Sequence, residues 1–445
     1  MLVACACALV VAGAAGATGR APAPEVVVDG VQAGTFSAVV QWHVSGAARV
    51  VVAYGRTGTD AQVWSTPVTL GGPGSGTTRL SALEPASRYA FHVFAISAGA
   101  RGSADGSVLT APLPPGVWGR TIPDALVVNG QRLFPRMVYR QCPYAYPGSI
   151  VAGINLFMGA TCTTPAGQLA LLSGKALSLT PIASRSTGGP DLLGWYQLDE
   201  ADIRVDRADA LPLVPPSAET GRVPFLTLTS HFFSGAAPLP TGNTIYPELI
   251  DRAEMVGFDL YPLQGWCQKD ALGAVFDAQA QLVALAAGKP TYQWIEAGPM
   301  HTCFGLDPSA AIVQAETWLA IAGGARGIGY FPDQWRQDVT TQITQTDREI
   351  ASLAPALLDS PGSASVAAPS PVRVGVRTHD GATYVIAVNP TFAHTRARIS
   401  VRGLGTVGLR LYGDGRWIVA NGGVFTDTFG GLQVKIYVAP PPQLS

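Results

Sequence analysis

The sequence has little charge and few histidines. Only 13% of its 445 residues are charged, the formal net charge is -1, and there are 6 histidines. A chain this close to neutrality lacks the basic surplus with which proteins bind nucleic acid or anionic membrane surfaces, so we predict no nucleic-acid partner. Hydrophobic residues make up 47% of the chain. This content excludes a largely disordered protein and, at this length, indicates two or three folded domains.

The sequence also lacks the short motifs of several enzyme classes. Residues 117–359 contain no Gly-x-Ser-x-Gly motif, no phosphate-binding loop and no dinucleotide fingerprint. The same region has only His231 and His301 as histidines, and no Cys-x-x-Cys pair occurs. We therefore predict no cofactor and no metal.

The N-terminal segment, Met1 to about Ala17, is almost wholly small and apolar. Ala15-Gly16-Ala17 fits the small-x-small rule for signal cleavage, although no Lys or Arg precedes the apolar run. We predict a signal peptide over residues 1–21 and a secreted protein. The alternative is a lipid anchor at Cys5, which would attach the protein to the cell surface. No other run approaches about 18 uninterrupted apolar residues, so we predict no membrane span.

Four of the 6 cysteines lie beyond the predicted signal peptide: Cys142, Cys162, Cys267 and Cys303. An even number in an exported protein favours disulfides, and three pairings are possible. The first two cysteines follow neighbouring predicted strands, and so do the last two. We therefore predict the pairs Cys142–Cys162 and Cys267–Cys303, with four unpaired buried thiols as the alternative.

Residues 22–111 have the pattern of short β-strands joined by turns, including an alternating strand around Trp42 and another after Tyr89. The stretch resembles a fibronectin type III domain. Trp42 stands where that family has its core tryptophan. Tyr89 stands where it has a tyrosine whose hydroxyl bonds back to the local backbone.

Residues 117–359 alternate strand-like and helix-like segments after a proline-rich linker, Pro112 to Gly116. The predicted strands are Leu133–Tyr139, Gly153–Gly159, Leu177–Ala183, Leu193–Glu200, Phe225–His231, Val256–Leu263, Pro290–Glu296 and Gly327–Phe331. Predicted helices separate them around Gln168–Ala176, Tyr246–Met255, Ala271–Ala287 and Ser309–Ala322, with a last helix near Asp347–Leu358. Eight strands alternating with helices predict a closed (β/α)8 TIM barrel.

Residues 366–445 return to an all-β pattern after a connector rich in Ser, Pro and Ala. Asp380-Gly381 lies between two apolar runs, which is a hairpin signal. The predicted fold is therefore multidomain: a TIM barrel flanked by an N-terminal fibronectin III-like β-sandwich and a small C-terminal antiparallel β-sandwich.

Two glutamates end predicted strands four and seven of the barrel. Glu200 closes Leu-Gly-Trp-Tyr-Gln-Leu-Asp-Glu, and Glu296 closes Pro-Thr-Tyr-Gln-Trp-Ile-Glu. The C-terminal ends of barrel strands form the active site of TIM-barrel enzymes, and two facing carboxyl groups can hydrolyse a glycosidic bond. With the Gly-Tyr-Phe strand that follows, these runs resemble the clan A retaining glycoside hydrolases.

The resemblance implies roles for both glutamates. Glu200 matches the acid/base and Glu296 the nucleophile of a double displacement. The sequence departs from the clan at Asp199, where an Asn usually precedes the acid/base and bonds the sugar 2-hydroxyl. An ionised aspartate accepts such a bond but cannot donate one. A pair from strands four and six, Asp199 with Asp259, would indicate a different glycosidase group.

Further residues near predicted strand ends are candidates for binding substrate. The polar candidates are Asp199, Tyr261, His231, Asn155, Arg136 and Tyr139. Trp335 and Trp266 are added because indole faces stack on sugar rings, although each is nearly as well explained by packing under a loop.

We interpret the sequence as a secreted retaining glycoside hydrolase that cleaves a poly- or oligosaccharide. The alternative is a catalytically inactive carbohydrate-binding or adhesion protein on a glycosidase-like barrel. The sequence does not indicate the sugar, the linkage or the oligomeric state.

Overall fold

The computed structural model describes residues 23–60, 62–97, 100–240 and 242–441. The predicted signal peptide, residues 1–21, lies outside these ranges. Among the residues that are described, no helix is both long and apolar enough to cross a membrane.

The N-terminal module consists of two antiparallel sheets packed face to face. Its strands are β1 (Val26–Ala33), β2 (Ala38–Val44), β3 (Ala48–Arg56), β4 (Val63–Trp64), β5 (Val68–Leu70), β6 (Gly74–Leu80), β7 (Arg88–Ser97) and β8 (Ala100–Leu109). One sheet has the order β1-β2-β6, and the other has the order β4-β3-β7-β8, with β5 paired to β3. Trp42 is fully buried between them, and the Glu84 backbone N–H donates to the Tyr89 hydroxyl at 3.0 Å. Both positions agree with the fibronectin type III resemblance.

A three-stranded sheet that was not predicted from the sequence precedes the barrel. It is formed by β9 (Gly119–Ile122), β10 (Ala125–Val128) and β11 (Gln131–Leu133). Leu126, Val128 and Leu133 of this sheet are buried in one cluster with the interior side chains of the barrel. The sheet therefore covers the N-terminal end of the barrel.

The barrel is closed by eight parallel strands in sequence order. The strands are β12 (Arg136–Gln141), β13 (Leu156–Ala160), β14 (Leu177–Pro181), β15 (Leu192–Tyr196), β16 (Val223–Thr229), β17 (Met255–Asp259), β18 (Thr291–Glu296) and β19 (Gly327–Phe331). The helices that follow them are α1 (Tyr146–Ala152), α2 (Pro165–Leu172), α3 (Ala201–Arg204), α4 (Ser217–Thr220), α5 (Tyr246–Ile250), α6 (Gly273–Leu285), α7 (Ala310–Gly323) and α8 (Gln337–Leu357). Strand side chains alternate between the barrel interior and the helix layer, which explains why most strand residues are apolar.

The C-terminal module is again antiparallel. Its strands are β20 (Ala364–Val366), β21 (Arg373–His379), β22 (Ala382–Val388), β23 (Thr395–Val401), β24 (Val407–Leu411), β25 (Trp417–Ala420), β26 (Val424–Phe429) and β27 (Val434–Ala439). They form the sheets β20-β23-β26 and β21-β22-β27-β24-β25. The predicted fold class, a barrel flanked by two β modules, is confirmed.

Buried charges join the N-terminal module to the barrel. The Arg136 guanidinium, 1% exposed, pairs with Glu84 of the N-terminal module and donates to the Gly153 carbonyl at 2.9 Å. Arg56 contacts the other oxygen of Glu84 at 2.5 Å. Asp347 of α8 completes the cluster at 3.6 Å from the Arg136 Nε. The two units therefore share one buried electrostatic network.

Candidate functional site

Aromatic side chains line the C-terminal mouth of the barrel. Tyr139, Tyr196, Tyr261 and Phe331 are partly buried and pack on the apolar interior, with Trp294 below them. The Tyr139 ring lies 6.1 Å from Tyr196 and 5.9 Å from Trp294, centroid to centroid. Tyr261 stacks on Phe331 at 6.0 Å. Each comes from the C-terminal half of a different strand or from the residues just after it, so the barrel geometry itself assembles this surface.

Two aspartates stand among these tyrosines. Asp259 ends β17, and the Tyr261 hydroxyl donates to its Oδ1 at 2.6 Å. Burial raises the pKa of Asp259 well above its usual value, and the negative charge of Asp199 adds to the rise. Burial also raises the pKa of Asp199, and the negative charge of Glu200 adds to this rise. A hydrogen bond from Tyr139 lowers the pKa in part. The charge of Asp199, which follows β15, therefore acts on the carboxyl group at the end of β17.

Glu200 lies beyond the end of its strand, contrary to the sequence-based expectation. β15 ends at Tyr196, and Glu200 is the N-cap of α3 with φ 50° and ψ 50°. A non-glycine residue in this left-handed region carries conformational strain, which is often found at functional sites. Its side chain is 31% exposed, and its carboxylate lies 3.3 Å from the Arg204 guanidinium. Glu200 is thus held at the rim and remains accessible.

Glu296 ends β18 as predicted, but its carboxylate is completely buried. The residue is 0% exposed. It accepts hydrogen bonds from the backbone N–H groups of Leu263 and Gln264, at 2.8 and 2.7 Å, in the loop after β17. Glu316 of α7, which packs outside the barrel, lies beside it, and burial raises the pKa of both carboxyl groups. In this arrangement Glu296 anchors a loop.

An open groove of about 500 Å³ lies beside Asp199. Its walls include Tyr139, Tyr196, Pro181 and Leu211, with Arg140 and Arg204 at its edge. Hydroxyl, apolar and charged groups therefore converge on one concave surface, as they do in small-molecule and sugar sites.

Three other predicted binding residues are engaged in local packing near the mouth. The His231 Nδ1 lies 2.5 Å from the Ala237 carbonyl oxygen. Trp266 stacks on Phe233 with 4° between the ring planes, and the Trp335 indole N–H donates to the Pro332 carbonyl at 2.8 Å. Each is only partly exposed. These contacts agree with the packing explanation given for the two tryptophans.

Arg136 and Asn155 are at the opposite end of the barrel, so the expectation that they bind substrate needs correction. Arg136 is the first residue of β12, and Asn155 directly precedes β13. The Asn155 Oδ1 accepts from the Arg136 backbone N–H at 2.8 Å, and its Nδ2 donates to the Phe134 carbonyl at 3.1 Å. Both residues bind the N-terminal module and neighbouring backbone, so we exclude them from the proposed site.

Both predicted disulfides are confirmed. Cys142 is bonded to Cys162, and Cys267 to Cys303. The cysteines follow β12, β13, β17 and β18 respectively, so the bonds fix loops at the mouth. In the parts of the chain that the structure describes, no group of three or more His, Cys, Asp or Glu side chains could hold a metal.

Two residues at or near the site escaped the sequence analysis. Tyr196 ends β15 and faces the groove. Glu316 is buried beside Glu296, and the sequence contains a sign of this: Glu316 is the only charged residue in the helix Ala310–Gly323. A lone carboxyl group in such a helix indicates a buried polar partner.

Comparisons with known proteins give only distant structural likeness. No protein-family model matches the chain, and no curated protein matches it. A β-glucuronidase of Bacteroides uniformis aligns with 11% identity and a TM-score of 0.38, over 92% of this chain and 57% of its own. An endoxylanase of Clostridium papyrosolvens aligns with 10% identity and a TM-score of 0.40, over 72% of this chain and 97% of its own. The chain thus spans less than two thirds of the glucuronidase, and similarity at this level identifies neither a substrate nor a reaction.

Proposed function

We propose that this protein is a glycoside hydrolase that acts on a poly- or oligosaccharide at the mouth of its barrel. The observation that carries the proposal is the group of carboxyl side chains there, Asp199, Glu200 and Asp259, beside a tyrosine-lined groove. Glycoside hydrolysis needs one protonated and one ionised carboxyl group on either side of the bond. Burial favours the protonated form within this group, since it raises the pKa of Asp199 and Asp259.

Glu200 is the proposed acid/base. Its accessible position at the rim supports this role, and the Arg204 guanidinium, 3.3 Å away, holds the side chain there. As acid it would protonate the leaving oxygen, and as base it would take a proton from the attacking water.

Glu296 is the proposed nucleophile, by the resemblance to the clan. Because Glu296 is buried, the loop containing Leu263 and Gln264 has to release its carboxylate before the carboxylate can reach a sugar. Asp259 is the replacement if the loop stays closed, because it already stands among the mouth tyrosines. A retaining reaction also requires about 5–5.5 Å between the two reacting carboxyl groups.

Export is part of the proposal. Two disulfides favour an oxidising compartment, because cytosolic thiols are kept reduced.

The decisive experiment compares the wild type with Glu200→Gln, Glu296→Gln and Asp259→Asn on a panel of aryl glycosides and polysaccharides. We expect turnover by the wild type and a loss of at least about a thousandfold in Glu200→Gln, since an amide cannot exchange a proton. A comparable loss in Glu296→Gln, with rescue of Glu296→Ala by azide, would support the clan assignment. Loss in Asp259→Asn, with near-normal turnover in Glu296→Gln, would move the second role to Asp259.

The burial of Glu296 favours a second candidate function, in which the protein binds carbohydrate without cleaving it. Calorimetry would then show glycan binding while product analysis shows an intact ligand. Turnover that disappears in Glu200→Gln would rule this function out.

A further inference from the structure

We propose a second carbohydrate-binding site, away from the mouth, in a cleft between the two β modules that continues along α8. It goes beyond the proposed function and shares with it only the class of ligand. The accessory cleft is defined here by Trp64, Phe94, Arg101, Arg410 and Trp417. The helix groove is defined by Gln337, Thr340, Thr341, Thr344 and Gln345 of α8.

Trp417 gives the accessory cleft an open aromatic face. It is 54% exposed, which is high for a residue of its size. A Cβ at Gly408 would lie 3.1 Å from Cε3 and 3.3 Å from Cζ3 of the indole, so the glycine of the neighbouring strand lies against one edge of the ring. The absence of a side chain at Gly408 leaves room for this edge. A sugar ring can stack on the exposed indole face.

Trp64 and Phe94 form the other wall. Their rings lie 5.9 Å apart, and the Arg101 guanidinium lies over Phe94 at 3.8 Å from the ring centre. Asp60 and Gln62 also line the cleft, whose volume is about 180 Å³. Aromatic faces together with a few planar polar groups are the recognition chemistry of a sugar, whose C–H faces are apolar and whose rim is hydroxylated.

The helix groove supplies hydrogen bonds. Its five defining side chains recur at helical spacing and so share one face of α8. The groove has a volume of about 880 Å³. The hydroxyls of Thr340 and Thr344 donate to backbone carbonyls one turn earlier, at 3.1 and 2.7 Å, which leaves their lone pairs to accept from a ligand. Glutamine amides both donate and accept, so this neutral face matches the hydroxyls of a glycan.

The two spaces are adjacent, because Asp60, Tyr412 and Gly413 line both. Their walls are tied together: the Thr59 and Tyr412 hydroxyls bond at 2.6 Å, and Thr66 donates to Asp380 at 2.7 Å across the modules. Such a preformed cleft lowers the entropic cost of binding.

The shape and charge of this surface favour an extended, polymeric glycan. Helix α8 begins after β19, so the groove starts on the mouth side of the barrel. From Gln337 to Arg348 it runs roughly 17 Å at about 1.5 Å per residue, which is longer than one sugar ring. Arg101, Arg348 and Arg410 are mixed with Asp60 and Glu349, so the surface has no strong single-sign field for a polyanion.

The test measures binding of the full-length protein to soluble arabinoxylan, mixed-linkage β-glucan and polygalacturonate, by affinity electrophoresis and calorimetry. All proteins carry Glu200→Gln, which prevents cleavage during the measurement. The variants are Trp417→Ala, Trp417→Phe and the pair Thr340→Val/Thr344→Val. Phe392→Ala is the matched control, since Phe392 is 49% exposed in the same module but does not line the cleft.

We expect at least one polysaccharide to bind, and Trp417→Ala to weaken that binding about tenfold or more, which equals about 1.4 kcal/mol. Trp417→Phe should lose less affinity than Trp417→Ala, and the pair Thr340→Val/Thr344→Val should also bind more weakly. Phe392→Ala should bind with the same affinity as the protein that carries Glu200→Gln alone. In the active Glu200 background, Trp417→Ala should slow hydrolysis of the polymer but not of an aryl glycoside.

The proposal is overturned by three outcomes: no binding to any polysaccharide of the panel, unchanged binding in Trp417→Ala, or equal weakening in Phe392→Ala. Its failure is separable from failure of the proposed function. If the protein with Glu200 intact binds a polysaccharide without cleaving it, the cleft remains a binding site and the proposed function fails. If that protein cleaves the polysaccharide and Trp417→Ala has no effect, the cleft proposal fails and only the site at the mouth remains.

Discussion

Asp347 is a carboxyl group enclosed among charges and hydroxyls at the base of the barrel. It accepts from the Tyr330 hydroxyl at 2.8 Å and lies 3.6 Å from the Arg136 guanidinium. Burial raises its pKa from 3.8 to about 7, and the positive charge of Arg136 limits the rise. The folded protein therefore keeps a proton on Asp347 at pH values where the unfolded chain has lost it.

This residue gives the stability of the protein a defined pH dependence. Between about pH 4 and pH 7 the folded state binds the extra proton, so the contribution of Asp347 to stability is present at low pH and is lost as the pH rises through this window. Asp347→Asn does not titrate. We expect the free energy of unfolding of the variant, relative to the wild type, to increase steadily from pH 4 to pH 7 in urea titrations.

The matched control is Asp206→Asn, because Asp206 is exposed. Its difference from the wild type should stay constant over the same pH range. A constant difference for Asp347→Asn as well would mean that Asp347 is ionised in the folded protein throughout.

At the scale of elements, the mouth loops are fixed by covalent bonds as well as by packing. The disulfides close sequence separations of 20 and 36 residues. By the chain-entropy model we expect Cys142→Ser/Cys162→Ser to lose about 3 kcal/mol of unfolding free energy and Cys267→Ser/Cys303→Ser about 4 kcal/mol. Urea denaturation in oxidising buffer measures both losses.

The wild type reduced with dithiothreitol is the comparison for both double variants. Its unfolding free energy should be lower than that of either variant in oxidising buffer, since it lacks both disulfides. If the Cys267 and Cys303 variant instead matches the oxidised wild type, the loop that holds Glu296 is fixed by its hydrogen bonds alone.

The order of the barrel elements was predictable from sequence because strand and helix patterns differ in period. Gly327–Phe331 was predicted with its observed bounds, and the remaining strands were displaced by a few residues. The sheet formed by β9, β10 and β11 was missed because its strands are only 3 or 4 residues long. Such strands are too short to establish an alternation, and they follow a proline-rich linker.

Small displacements of strand ends had large effects on the predicted site. Strand one was expected at Leu133–Tyr139, which placed Arg136 in its middle, whereas β12 begins at Arg136. Three residues span about 10 Å along a strand, enough to move this side chain from the barrel interior to its base. The burial of Glu296 was also beyond the sequence, because it depends on a loop 32 and 33 residues away.

At the scale of the whole molecule, the N-terminal module is electrostatically part of the barrel. Glu84 balances Arg136, which is 1% exposed. Replacing Glu84 by Ala leaves this guanidinium buried with fewer partners, and removal of one partner from a buried pair costs about 3–5 kcal/mol. We expect Glu84→Ala to lose stability of this order in urea denaturation.

The control for this prediction is Glu219→Ala, an exposed glutamate on the barrel. It should remain close to the wild type. A small effect of Glu84→Ala would show that Asp347 and backbone carbonyls suffice for Arg136.

The shared charge cluster has a consequence for how the gene can be divided. A barrel expressed from residue 117 onward would present Arg136 without Glu84 and expose the apolar surface that the N-terminal module covers. The linker from Pro112 to Gly116 therefore separates two segments of the sequence, but it does not separate two independent units of the folded protein. Domain shuffling, by recombination or by cloning, has to carry both units together or replace the buried charge at the same time.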